Sequence, residues 1–271
     1  MDYQQFDPSD SLKPFVKCFW SLEAEAAPSP ERQRVIPDGC MEMIFNYGNR
    51  FYQYLHDGSF ILQPQSFIFG QITGFLEIAP SGVTGLVAAR FLPEGLAPFL
   101  DCSVCSLENK AVAIQDIFGN VGEELEQAVI NSPSNRERIE LIEKFLLAKL
   151  ETQETIDSLT RACVETILKT QGQLGINELA DKLNIHRRNM ERRFETAVGM
   201  SPKQLSRVVR LQSALKLLEQ KKYPNLTSLA YESGYYDQAH FIKDFREFTG
   251  ISPKSFFAGN LRLSALFIGA E

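Results

Sequence analysis

Histidine is scarce in this chain, with three copies in 271 residues, and only His56 falls within the first 170. One imidazole, in a His56-Asp57-Gly58 turn, cannot build a clustered-histidine metal site, which argues against metal-dependent catalysis there. Cysteine is nearly as sparse, at five. Cys102 and Cys105 form a lone C-x-x-C pair, whereas a zinc site needs four ligands, so they read as small residues near a helix end. No apolar run is long enough to cross a bilayer. The start, Met1-Asp2-Tyr3-Gln4-Gln5, lacks a basic flank and apolar core, so no secretion signal is expected. A cytoplasmic location with reduced thiols follows as an expectation, as do no metal and no cofactor. Overall positive charge is missing too. The net charge is −6, which by itself argues against a nucleic-acid partner.

The distribution of charge reverses that argument. Residues 1–170 hold 13 basic and 24 acidic side chains, and residues 171–260 hold 14 basic and 9 acidic ones. An acidic body with a basic module near one end fits binding to a polyanion. Period and punctuation divide the chain at the same place. Short apolar runs at Phe15–Leu22, Arg34–Ile36, Met41–Tyr47, Phe60–Leu62, Phe67–Ile72 and Val83–Phe91 predict strands, separated by Pro and Gly turns. Helical spacing then predicts helices over Pro93–Leu100, Val121–Ile130 and Asn135–Leu150. The polar stretch 151–155 is the candidate linker, and everything after Ile156 reads as helices and short turns. The expected fold class is α+β. A β-barrel domain with following helices (1–152; β-rich 1–92, helical 93–152) precedes an all-α domain (156–260).

The second domain carries an internal repeat. Leu179-Ala180 recurs as Leu229-Ala230, an offset of 50. Met190, Phe194, Gly199 and Ser201-Pro202-Lys203 recur as Phe241, Phe245, Gly250 and Ser252-Pro253-Lys254, an offset of 51. Each copy reads as two helices around a tight turn, at about 176–197 and 226–248. The turn residues are Asn184 and Gly234, types that enter the left-handed region easily. Gly199 and Gly250 are placed to end helices, and Ser201 and Ser252 to cap the next ones, with Pro in the first turn. A long helix over Pro202–Gln220 would fix the spacing between the units.

The second helix of each unit is the informative one. Met190, Phe194 and Ala197 define the core face of the first, so Arg188 and Arg192 point outward. Phe241, Phe245 and Phe248 define that of the second, leaving Ala239, Lys243 and Arg246 outside. Arginine is well shaped to pair with guanine edges in the major groove, and a small alanine permits close approach. A basic helix face is usually only solvated. Two matching turns, terminators and basic faces weigh against coincidence.

At these residues the chain resembles the AraC/XylS family of bacterial regulators over about residues 160–258. The resemblance is carried by Leu229-Ala230-Tyr231-Glu232-Ser233-Gly234-Tyr235, Gln238, Phe241, Phe245 and Thr249-Gly250-Ile251-Ser252-Pro253. His186 stands where the family usually has a capping Ser. The resemblance implies seven helices and a DNA-binding transcription activator that enters two successive major grooves of double-stranded DNA. It implies base-reading positions at Arg188, Glu191 and Arg192, and at Gln238, Ala239, Ile242 and Lys243. Phosphate contacts are expected from His186, Arg187 and His240. RNA polymerase is the implied protein partner.

The runs Arg34–Asn46 and Phe91–Ala97 resemble a cupin-like N-terminal domain found on some of these regulators. A small-molecule effector is the main expectation for it, with Trp20, Asp38, Glu42, Phe45, Tyr47, Phe69 and Arg90 as candidate contacts. Homodimerisation without a ligand is the alternative. A third reading is a methyl-accepting DNA-repair protein, using Cys18, Cys40, Cys102 and Cys105. Its cysteine spacing does not match, so no catalytic residue is expected, and the lack of a bilayer-length apolar run means that no membrane association is expected either.

Overall fold

The computed structural model describes residues 1–29, 31–55, 57–150, 156–220 and 225–256. His56, the candidate linker 151–155 and the apolar tail 261–271 lie outside the described residues. Ten strands open the chain: β1 (Asp2–Phe6), β2 (Val16–Ala24), β3 (Gln33–Val35), β4 (Met41–Asn46), β5 (Phe51–Tyr54), β6 (Phe60–Leu62), β7 (Ser66–Phe69), β8 (Leu76–Pro80), β9 (Thr84–Phe91) and β10 (Ala111–Ala113). They form two antiparallel sheets, ordered β1-β2-β9-β4-β7-β10 and β3-β8-β5-β6. Helices follow: α1 (Ile114–Asn131), α2 (Asn135–Leu150), α3 (Ser158–Lys169), α4 (Ile176–Lys182), α5 (Arg187–Val198), α6 (Pro202–Glu219), α7 (Leu226–Glu232), α8 (Gln238–Thr249) and α9 (Pro253–Phe256). The fold is α+β, as expected, with strands first and helices after.

The larger sheet buries both faces, and alternation along each strand decides what goes where. Phe19, Met41, Met43, Phe45, Ile68, Val87, Ala89 and Phe91 pack against Leu125 and Val129 of α1 and Ile139, Ile142 and Leu146 of α2. The opposite parity, Cys18, Trp20, Leu22, Leu86 and Ala88, meets Phe51 and Ile78 of the smaller sheet. The central strand β9 is buried along its whole length, which explains its uninterrupted apolar and small-residue run.

Two expectations fail locally. The helix expected over Pro93–Leu100 shrinks to one 3-10 turn at Ala97–Phe99. Pro98 sits inside it without an N–H to donate, so the turn cannot grow. Strands β1, β5, β8 and β10 also escaped the sequence reading. β1 is a polar edge strand, DYQQF, that pairs only with β2, and nothing in its pattern alternates.

The helical half holds two cores that share α6. Leu205 and Val209 join Leu179, Ala180, Met190, Phe194 and Val198. Val208, Leu211, Leu215 and Leu218 join Leu229, Ala230, Tyr235, Phe241, Phe245 and Phe248. One helix therefore seats both units. Its start is fixed by a reciprocal cap: Gln204 N–H donates to Ser201 Oγ at 3.2 Å, and Ser201 N–H donates to Gln204 Oε1 at 2.8 Å.

Candidate nucleic-acid interface and internal cavity

The two helix pairs repeat each other bond for bond at their turns. Ile185 N–H donates to Ala180 O at 3.0 Å, and Tyr235 N–H donates to Ala230 O at 2.9 Å. Between each donor and acceptor the chain passes through the left-handed region, at Asn184 (φ 50°) and Gly234 (φ 76°). The helices α5 and α8 then end at Gly199 and Gly250, both left-handed. Seven helices, α3 to α9, are described in this half.

The core faces of α5 and α8 are set by Met190, Phe194 and Val198 and by Phe241, Phe245 and Phe248, all buried. What remains outside is basic. Arg187, Arg188 and Arg192 of α5 are exposed, as are Ala239, Lys243 and Arg246 of α8. His186 is exposed at the N-cap of α5 and supplies no side-chain cap. Asp237 caps α8, accepting from the His240 backbone N–H at 2.7 Å. Glu191, Gln238, Ile242 and His240 are half-buried flankers of these faces. Glu191 is held by Arg187 at 2.9 Å, and Gln238 Oε1 accepts from the Thr227 hydroxyl at 2.8 Å. Side chains on both helices are thus oriented before any contact.

The second helix of the second unit also carries a buried charge. Asp244 is 2% exposed and is held by Arg207 of α6 at 2.9 Å. Arg207 also pairs with Glu247 at 2.7 Å. These carboxylates raise the Arg207 guanidinium above its ordinary value.

A cavity of about 100 Å³ lies between the two sheets. Trp20, Asp38, Glu42, Phe69 and Arg90 line it. Phe45 and Tyr47, expected with them, do not. Phe45 sits one residue out of phase with Glu42 on β4 and faces the helices, and Tyr47 packs on that same core under the Arg138 guanidinium at 3.6 Å. Residues missed by the sequence reading include Asn46, Phe51, Phe67, Ile72 and Gln212. Strand parity with Glu42 could have found Asn46. Gln212 comes from α6, and only the tertiary fold brings it there.

Arg90 is buried and reaches Glu42 at 2.7 Å and also Asp38. Asp38 is delivered by a turn in which Gly39 adopts φ 82°. Burial pushes the Glu42 carboxyl up to about 8, against a hydrogen bond from Trp20, and burial lowers Arg90 to about 10. All five cysteines are free: Cys18 and Cys163 are buried, Cys40 is half-buried, and Cys102 and Cys105 are exposed. Among the described residues no group of three His, Cys, Asp or Glu side chains could hold a metal ion.

The segment from Arg34 to Gly39 runs from the cavity to the helical half. Arg34 Nη1 donates to Thr249 O, at the end of α8, at 3.2 Å. Ile36 is buried in the core of the second unit. Gln212 Nε2 donates to Pro37 O at 2.7 Å. A Cβ on Gly39 would come within 2.7 Å of Leu205 on α6. The first unit is braced separately, where Cys105 Sγ donates to Glu195 O of α5 at 3.1 Å.

Comparison with known proteins adds two domain matches. Residues 179–259 match a helix-turn-helix domain, and residues 4–113 match a domain of unknown function (DUF6597). An uncharacterized HTH-type transcriptional regulator of Haemophilus influenzae is 34% identical over 116 residues, 43% of this chain and 37% of its own. The Msm operon regulatory protein of Streptococcus mutans is 30% identical over 118 residues, 43% of this chain and 42% of its own. The match thus spans less than half of either relative. Among solved structures, ToxT from Vibrio cholerae is 12% identical at a TM-score of 0.47, covering 89% of this chain and 98% of that one.

Proposed function

We propose that the chain is a sequence-specific DNA-binding transcription regulator, with its helix-turn-helix domain at 179–259 of the AraC type and under control of its N-terminal domain. The observation that carries this reading is the pair of exposed basic faces on α5 and α8, seated on one shared helix. Arg188 and Arg192 in one groove, and Ala239, Lys243 and Arg246 in the next, read base edges. Glu191, Gln238 and Ile242 contact bases from the flanks. His186, Arg187 and His240 contact phosphates. Contact with RNA polymerase then activates transcription. The domains divide at residues 151–155. Control passes along Arg34–Gly39, because that segment touches the cavity through Asp38 and the second unit through Ile36 and Arg34.

The test is Arg192→Ala. Specific binding is expected to weaken by about 1–3 kcal/mol while binding to random DNA changes little. Equal discrimination between target and random DNA in the variant removes Arg192 from base reading.

Control by dimerisation is the second reading, favoured by β6. This edge strand exposes Phe60 (59%), Ile61 (47%) and Leu62 (38%) beside a backbone edge that pairs with no further strand among the described residues. Sedimentation of Ile61→Lys is expected to show a monomer where the parent shows a dimer. A monomeric parent discards this reading.

A further inference from the structure

One buried acceptor of the cavity has no donor, and two carboxyl groups lie beside one cation. Two carboxyl groups, Asp38 and Glu42, share the single guanidinium of Arg90. Arg90 is the only basic residue among those lining the cavity. Asn46 sits on the same face of β4 as Glu42 and is 1% exposed. Its Nδ2 donates to Gln65 O at 3.0 Å, while its Oδ1 has no partner. A buried acceptor without a donor is costly to keep. The remaining walls are apolar and aromatic, with Trp20, Phe51, Phe67 and Phe69 among them. Aromatic faces attract cations.

We propose that this cavity binds a small organic cation bearing N–H groups on a short apolar body, a compact alkyl ammonium. The inference rests on the reading of the first domain as a controlling domain and adds the chemical class of its ligand. The ammonium donates to Asn46 Oδ1 and to Asp38, and takes the place of the proton that burial keeps on Glu42. Its apolar body lies against the rings. A carboxylate ligand meets two carboxyl groups and a guanidinium already engaged by both, so it is rejected. The volume sets the size. About 100 Å³ is smaller than an engineered cavity of roughly 150 Å³ that admits benzene, so the ligand has only a handful of non-hydrogen atoms.

Titration calorimetry on the full chain, with three probes on one five-carbon skeleton, tests this: isopentylamine, 3-methylbutanoate and 3-methylbutan-1-ol. Isopentylammonium is expected to bind saturably and at least about tenfold tighter than the other two. Glu42→Gln, which keeps size and shape, is expected to reduce isopentylammonium binding about tenfold and leave the alcohol unchanged. A cooperative melting transition shows that this variant is folded. Equal or tighter binding of the carboxylate, or no saturable binding of the amine up to about 10 mM, overturns the proposal. DNA affinity measured alongside separates the two readings. If the carboxylate binds and shifts DNA affinity, the cation class fails and the controlling role survives. If the amine binds and DNA affinity does not move, the class stands and the controlling role fails.

Discussion

Arg207 shows how much one side chain can hold at the residue scale. It neutralises Asp244, which is buried in the middle of α8. Arg207→Ala leaves that carboxylate without its guanidinium, and denaturant unfolding is expected to show a loss of about 3–5 kcal/mol. The double variant Arg207→Ala, Asp244→Ala is expected to regain part of it, and a double variant no more stable than the single removes the pair as the cause. Glu42 makes a pH prediction. Its carboxyl is raised by burial to about 8, so the folded chain holds this proton more tightly than the unfolded chain does. The stability this confers is complete below the unfolded value of about 4.5 and is lost as pH rises towards 8. Melting temperatures of Glu42→Gln are expected to fall less than those of the parent over that window. Parallel curves contradict it. Single residues were legible only where chain neighbours fix their orientation. Arg188, Arg192, Lys243 and Arg246 follow from helical period alone and are exposed. Phe45 was misplaced because its aromatic character outweighed its parity, and β4 sends odd residues to the helices and even ones to the cavity.

At the element scale the decisive parts are the turns. Gly234 has φ 76°, and an added Cβ would lie 2.4 Å from Gln173 Cγ. Gly234→Ala is expected to cost at least about 1 kcal/mol of stability. Asn184→Gly, at the matching turn, is expected to be nearly neutral. Thermal unfolding of the two checks the contrast, and equal losses would mean that the turns are not equivalent. These turns and the Gly and Ser-Pro terminators were visible in the sequence because their chemistry is local. The short strands were not. β10 is three residues long and exists because β7 offers it a ladder. Such pairing is tertiary, and propensity carries little of it.

Across the whole molecule the two halves are joined by specific contacts. Arg34 ties β3 to the end of α8 and also pairs with Glu77 at 3.0 Å. Arg34→Ala is expected to speed hydrogen exchange in the last turn of α8 while leaving α5 unchanged. Unchanged protection in α8 contradicts its role as a tie. No sequence pattern marks such a contact, since its partner is a backbone carbonyl 215 residues away. The central claim, two recognition helices on one seat, is tested most directly by selecting bound sites from a random DNA pool with the full chain. The account predicts enrichment of two short conserved blocks with centres about 10 base pairs apart, and loss of only the first block's preference in Arg192→Ala. Enrichment of a single block, or of no sequence at all, contradicts it.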